Sequence, residues 1–327
     1  MQEKINELEK RIDSLLASLW SKSQEIKNLR AALIQLQNKF GSPPHVDQGE
    51  FEILKTLLHS DKDQGEFEIL KTLLHSDNWP AAIDPKLICN TESEEEKFTR
   101  AEAIIDLVMK DYLDGLAFLD FGCGEGHVVT KSKSEKPRIA LGYDIKSYAN
   151  WTDDMTTDWD RIKENGPYNV ILMYDVLDHM IGTSSEIVET LKKVKSILNQ
   201  ENGKLYVRAH PWTSRHGTHL YQSINKSYIH LVFTEEEIKE MGYEETPTRK
   251  TIHPLITYND FFNKAGFTFL KKEIVTNNKL EPFFMNNVLV SKRIKKCWKN
   301  SPDTNLKSGR AFPIAQLEIQ FIDFILR

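Results

Sequence analysis

Between Leu119 and Val129 the chain reads LDFGCGEGHVV, an apolar run closed by three glycines at alternate positions. A strand that ends in a glycine-rich turn and feeds a helix is the entry of a βαβ unit, where backbone N–H groups at the helix start receive a phosphate or nucleotide. The details of the turn select among nucleotides. No Lys-Ser/Thr pair directly follows the last glycine, where a P-loop requires it, which excludes a P-loop. Gly122, Gly124 and Gly126 are spaced G-x-G-x-G, whereas a dinucleotide site places its third glycine one residue later. Asp120, two residues before the first glycine, would repel a pyrophosphate and attract an ammonium group.

The chain after the turn alternates in kind. LAFLDF (116–121), RIALGYDI (138–145), YNVILMYDV (168–176) and GKLYVRAHP (203–211) read as strands, and SSEIVETLKKVKSIL (184–198) reads as a helix between the last two. This alternation predicts an α/β domain with a doubly wound, mostly parallel sheet. Thr91 with Glu94, or Ser93 with Glu96, offers a capping box for a helix bearing Phe98, Ile105 and Val108. Near the end, FTFLKKEIVTN (267–277) and PFFMNNVLVSKRI (282–294) predict an antiparallel hairpin at the sheet edge, after a helix YNDFFNKAGF. Asp144, at the tip of the second strand, is placed to accept hydrogen bonds from ribose hydroxyls.

Together, FLDFGCGEG, GYDI, TTDW (156–159) and YNVILMYDVLDHM resemble the class I S-adenosylmethionine-dependent methyltransferases. The likeness is greatest to the small-molecule group that includes the ubiquinone-biosynthesis methyltransferases, over roughly residues 98–292. The resemblance implies a Rossmann-like, seven-stranded methyltransferase fold with S-adenosyl-L-methionine as cofactor. It sets Asp120, Gly122, Gly124 and Gly126 around the methionine part, Asp144 on the ribose, Asp158 and Trp159 at the adenine, and Asp175 at the methionine end. Between Asp144 and Tyr168 the chain departs from the family pattern, leaving only a short connection for a helix, a strand and a second helix.

Methyl transfer from a sulfonium is an in-line displacement that depends mostly on alignment and desolvation of the nucleophile. A base is needed only where the acceptor must lose a proton. His179, after the fourth strand, and His210, at the end of the fifth, are the base candidates. The segment AHPWTSRHGTHLYQSINKSYIHLVF (209–233) holds Arg215, His216, His219 and Tyr221, which suit a polar acceptor pocket for a carboxylate, phosphate or sugar. A hydrogen-bonded lid with ordinary buried histidines is the alternative for the same segment. His216-x-x-His219 has a metal-ligand spacing, but no nearby cysteine or obvious carboxylate completes a set, so no metal is expected.

The flanks carry other signals. Ile5, Ile12, Leu19, Ile26, Leu33 and Phe40 recur every seventh residue, with Leu8, Leu15, Lys22, Leu29 and Leu36 at the second core position. Residues 1–40 are therefore expected to self-associate as a coiled coil, a dimer first and a trimer second. Residues 41–80 form a spacer in which DQGEFEILKTLLHSD at 47–61 recurs word for word at 63–77. Two copies are too few for a solenoid. The methyltransferase domain is expected over 81–292 and a C-terminal extension over 293–327.

A net charge of −5 gives no general attraction to nucleic acid, and no apolar run is long enough to span a bilayer. Three widely spaced cysteines and a charged N-terminus fit a reducing, cytoplasmic setting. The expected function is methyl transfer to a small polar acceptor. A scaffold protein using the same fold is the second reading. The third, nucleic-acid methylation, rests only on the basic stretch KRIKKCWKNSPDTNLKSGR at 292–310.

Overall fold

The structure is a computed structural model that describes residues 62–88, 91–108, 112–215, 217, 219–243, 251–276, 283–284, 287–299 and 319–327. The expected coiled coil and the first copy of the repeat lie outside the described residues. Two units are distinguished, Met1–Leu73 and Leu74–Arg327. The second copy of the repeat is helical, within Lys62–Leu74.

In the larger unit seven strands form one sheet: β1 (Ala117–Phe121), β2 (Ile139–Tyr143), β3 (Met155–Thr156), β4 (Val170–Tyr174), β5 (Lys204–Ala209), β6 (Phe269–Thr276) and β7 (Ile319–Leu326). Their order is β3-β2-β1-β4-β5-β7-β6. The first five positions are parallel, while β7 runs antiparallel to both β5 and β6. The sheet is thus mixed, with a parallel majority as expected.

The central strands are continuous apolar runs because helices cover both faces. Alternate residues of β4 divide between two cores. Ile171 and Met173 pack with Ile187, Leu191 and Val194 of helix Ser184–Ser196 and with Phe261 and Phe262 of helix Leu255–Lys264. Val170 and Leu172 pack with Ile104, Ile105 and Val108 of helix Glu94–Val108. Of the two capping boxes read from the sequence, the Ser93–Glu96 pair forms. The Ser93 N–H donates to Glu96 Oε2 at 2.8 Å and the Glu96 N–H to Ser93 Oγ at 3.2 Å.

The expected edge hairpin is corrected. Residues 288–299 are helical (Val288–Lys299), and the strand that pairs with β6 is the closing segment, β7. The two periodicities explain the difference. Val290 and Ile294, four apart, are the buried positions in the first segment, a helical spacing. Ile322, Phe324 and Leu326 alternate with more exposed neighbours in the second, a strand spacing. The sheet therefore extends past residue 292, the expected end of the domain, since β7 stands between β5 and β6.

The boundary at 80 moves as well. Trp79 is 2% exposed, its Nε1–H donates to the Ser227 carbonyl at 2.9 Å, and its ring meets Phe233, Phe283 and Phe284. Among the described residues no helix is long and apolar enough to cross a membrane.

Because Phe324 fills the face of β7 against Phe262 and Phe269, Phe324→Ala is expected to cost about 3–5 kcal/mol. Urea unfolding of the full chain checks this; a loss below about 1 kcal/mol would mean that β7 is dispensable to the sheet.

Candidate active site

The C-terminal ends of β1, β4 and β5 open onto a cleft of about 770 Å³. One end is built by the glycine turn. Gly122, Gly124 and Gly126 have φ of +87°, +50° and +85°, in the left-handed region. Gly122 is fixed by a close approach as well, since a Cβ there would stand 2.3 Å from Val176 Cγ2. Its N–H and that of Cys123 both donate to the Tyr143 carbonyl, at 2.7 and 3.1 Å, which ties the turn to the end of β2. Gly124 differs: nothing lies within 4 Å of where its Cβ would be, and it lines the cleft.

Two acids serve this turn. Asp144 accepts the Gly124 N–H on Oδ2 at 2.9 Å and the Lys146 N–H on Oδ1 at 3.2 Å. Asp120 lines the cleft at 4% exposure, and its carboxyl makes no hydrogen bond or ion pair among the described residues. Burial, with a contribution from the charge of Asp144, pushes its pKa up to about 7. A buried acid without a partner, beside an open glycine, suits a cationic group with little bulk around it. The α-ammonium of S-adenosylmethionine fits that description, so the residues present fit the expected cofactor.

The other expected cofactor residues are placed apart from this cleft. Asp158 caps helix Trp159–Glu164, its Oδ1 accepting the Asp160 N–H at 2.9 Å. Trp159 sets its ring edge against Tyr143 and Phe121. Gly126, Asp144, Asp158 and Trp159 are not among the residues lining the cleft. The short connection between Asp144 and Tyr168 accommodates the two-residue β3 and a six-residue helix.

Asp175, His179, His210, Arg215 and Tyr221 also line the cleft. Asp175 follows β4 with φ +53°, a strained value for a residue with a side chain. Its Oδ1 has no hydrogen-bond partner and lies 3.7 Å from His210 Nε2. Burial raises the Asp175 pKa to about 7 and lowers that of His210 to about 4. An ion pair would shift both the other way. At 3.7 Å the attraction does not offset the desolvation: His210 is neutral near neutral pH, and the Asp175 carboxyl is divided there between its neutral and ionised forms. His179 is lowered too, again mainly by burial.

His210 Nδ1 lies 3.1 Å from the Gln320 carbonyl of β7. A carbonyl can only accept, so Nδ1 carries the proton and Nε2 is left as the basic nitrogen. The ring also meets Phe321, at 4.5 Å between centroids.

Asp178 is the residue that sequence reading missed. It is fully buried, its Oδ2 accepts the His210 N–H at 3.4 Å, and its Oδ1 has no hydrogen-bond partner. Its carbonyl accepts the Thr251 hydroxyl. The signal was present in the sequence as the second acid of DVLDH. His219, also fully buried, stacks on His179 at 4.1 Å between ring centroids. Ligand atoms of Asp178, His179 and His219 lie within 4.8 Å of one another. His219 thus meets the carboxylate that the sequence reading found wanting, by contact with the fourth strand. His216 lies outside the described residues. Arg208, beside the cleft, forms a two-pronged ion pair with Asp323 of β7, at 2.6 and 2.5 Å.

A family profile described as Methyltransferase domain matches residues 94–271. No curated protein matches the chain. Among solved structures, a SAM dependent methyltransferase from Archaeoglobus fulgidus is 14% identical, with 74% of this chain and 99% of that one covered and a TM-score of 0.41. A S-adenosylmethionine-dependent methyltransferase from Clostridium acetobutylicum is 10% identical over 74% and 95%, with a TM-score of 0.42. The magnesium protoporphyrin IX methyltransferase of Synechocystis, with bound SAH, is 13% identical over 85% and 94%, with a TM-score of 0.37.

The state of Asp120 sets a pH dependence. With a pKa near 7 its carboxyl is neutral below that pH and ionised above it, and only the ionised form attracts an ammonium. Affinity for S-adenosylmethionine is therefore expected to rise as pH rises from 6 to 8 by about tenfold at most, with proton release on binding at the lower end. Calorimetry in buffers of different ionisation enthalpy checks this. In Asp120→Asn the slope should vanish; an unchanged slope would assign it to another group.

Proposed function

The chain belongs to the methyltransferase-domain family, and from that membership we propose that it methylates an oxygen or nitrogen of a small polar acceptor. The observation that carries this reading is one cleft lined both by a buried acid beside the open Gly124 and by His210, which burial holds in its neutral, proton-accepting form.

S-adenosylmethionine, when bound, supplies an electrophilic methyl group. The chain's own residues do the rest. Asp120 binds the ammonium, and in the turn at Gly122, Gly124 and Gly126 it is Gly124 that leaves room beside it. Asp144, already held against the Gly124 N–H, receives the ribose hydroxyls. Asp158 and Trp159 are assigned to the adenine end, and Asp175 borders the reacting centre. His210 Nε2 and His179 take the acceptor's proton where one must leave. Burial favours their neutral, proton-accepting form. Asp175, with its pKa raised to about 7, is a third group matched to that task. Arg215, His216, His219 and Tyr221 hold the acceptor.

Residues 1–40 are assigned to self-association, and a reducing compartment is the setting that suits the free Cys123 and Cys297. Deleting residues 1–40 should reduce the mass in solution, by light scattering, to that of a monomer; an unchanged oligomer would refute the coiled coil.

The enzymatic reading is tested by calorimetric titration with S-adenosylmethionine. Binding is expected, weakened about tenfold to a hundredfold in Asp144→Ala as two charge-assisted hydrogen bonds are lost. A well-folded sample that binds no S-adenosylmethionine would overturn the cofactor assignment.

A further inference from the structure

We propose that the acceptor carries an anionic group, a carboxylate or a phosphate, and that Arg215 is the residue that receives it. This rests on the methyltransferase reading above and names the acceptor class that the same cleft selects.

Three cations line the described cleft wall: Lys97, Arg100 and Arg215. Lys97 bridges Glu125 at 2.7 Å and Glu94 at 3.2 Å. Arg100 pairs with Glu92 at 2.9 Å. Arg208, beside the cleft, is held by both oxygens of Asp323. Arg215 alone has no acidic partner among the described residues, and its Nε is buried without a hydrogen-bond acceptor. A partly buried guanidinium whose donors are unused carries a desolvation cost that no acidic partner among the described residues offsets. An anion in the cleft would offset it.

The backbone that carries Arg215 is fixed. The Ser214 N–H donates to the Pro211 carbonyl at 2.9 Å, and the Arg215 carbonyl accepts the Tyr228 N–H at 2.9 Å. Ser214 is fully buried. The next described residue, Gly217, passes so close to Trp212 that a Cβ there would stand 2.1 Å from its carbonyl oxygen. Binding an anion therefore has to order the side-chain torsions of Arg215 and not its backbone.

The chemistry of the wall gives the ligand its shape. Guanidinium N–H groups form a planar fork that matches the two oxygens of a carboxylate or phosphate. Tyr221 and Phe321 line the same cleft and offer ring surface to a flat apolar body. His179, His210 and Asp175 stand on the same wall, so the anion serves as a handle and a separate oxygen or nitrogen of the acceptor faces the proton-accepting groups. None of the acids lining the cleft is paired with Arg215: Glu92 and Glu125 have their own cations, Asp84 accepts the Lys86 N–H at 3.0 Å, and Asp120 and Asp175 are buried beside other groups.

The test uses the full chain saturated with S-adenosylhomocysteine, titrated with benzoate, phenyl phosphate and neutral benzamide. Benzoate or phenyl phosphate is expected to bind, with benzamide at least about tenfold weaker, and Arg215→Gln should lose about tenfold to a hundredfold in anion affinity. Arg215→Lys should recover part of it, because a point charge replaces the fork. Whichever of the two anions binds more tightly names the head group. The proposal is overturned if neither anion binds, if benzamide binds as tightly as the anions, or if Arg215→Gln binds them like the unaltered chain. Retained S-adenosylhomocysteine binding in Arg215→Gln shows that the variant is folded. Failure of the unaltered chain to bind S-adenosylhomocysteine would instead count against the methyltransferase reading itself.

Discussion

The turn after β1 exists because no side chain stands at Gly122, and three strand ends meet there as a result. Val176, just beyond β4, occupies the space a Cβ would take, while the N–H groups of Gly122 and Cys123 reach the end of β2. Replacing Gly122 would force apart β1 and the segment leaving β4, in addition to the cost of a positive φ. Because β1 and β4 are neighbours in the sheet, that contact also fixes where Asp175 emerges. The glycine turn and the exit of β4 into Asp175 are thus set by one packing event. This accounts for a strained backbone at Asp175 immediately before Val176: the chain turns sharply to seat Val176 over the glycine.

A second constraint comes from the far edge of the sheet. β7 enters between β5 and β6 and brings three groups to the cleft side: the Gln320 carbonyl, the Phe321 ring and the Asp323 carboxylate. The carbonyl sets which nitrogen of His210 carries the proton, and the carboxylate takes up the charge of Arg208. A segment that is remote in sequence from the glycine turn therefore completes the electrostatics of the wall. It also explains why the charge of Arg208, unlike that of Arg215, is already satisfied within the fold.

Much of this was legible in the residues, and the failures have physical causes. Four of the five parallel strands were readable because their apolar runs are unbroken, and the helix before β5 is marked by a capping box at Thr183 and Glu186, whereas the two-residue β3 has no such run. The glycine turn was readable because positive φ leaves glycine as the economical choice. The edge was misread because 282–294 and 319–327 are both apolar, and only the period, four residues against two, tells helix from strand. Asp178 was passed over because a buried acid is identified by what surrounds it, and its neighbours His210, His219 and Thr251 come from distant segments. The partner of His219 was invisible for the same reason, since the nearest acid in space is 41 residues away in sequence.

The distribution of charge in the cleft is consistent with the demands of methyl transfer. An in-line displacement from a sulfonium has a good leaving group and needs alignment more than activation. Groups that fix reactants are therefore best kept at the ends of the cleft, and groups near the reacting atoms are best kept uncharged until a proton must move. On the proposed reading the wall has this arrangement. Asp120 and Arg215, opposite in sign and without partners of their own, stand as handles for two different molecules. Between them His210 is held neutral by burial and Asp175 is brought close to neutrality by the same cause. Were Arg215 paired internally, as Arg208 is, the acceptor would be held only by shape and by hydrogen bonds to neutral groups. Among the described residues neither Asp120 nor Arg215 has an ion-pair partner, and on the proposed reading that difference in sign is what gives the cleft a direction.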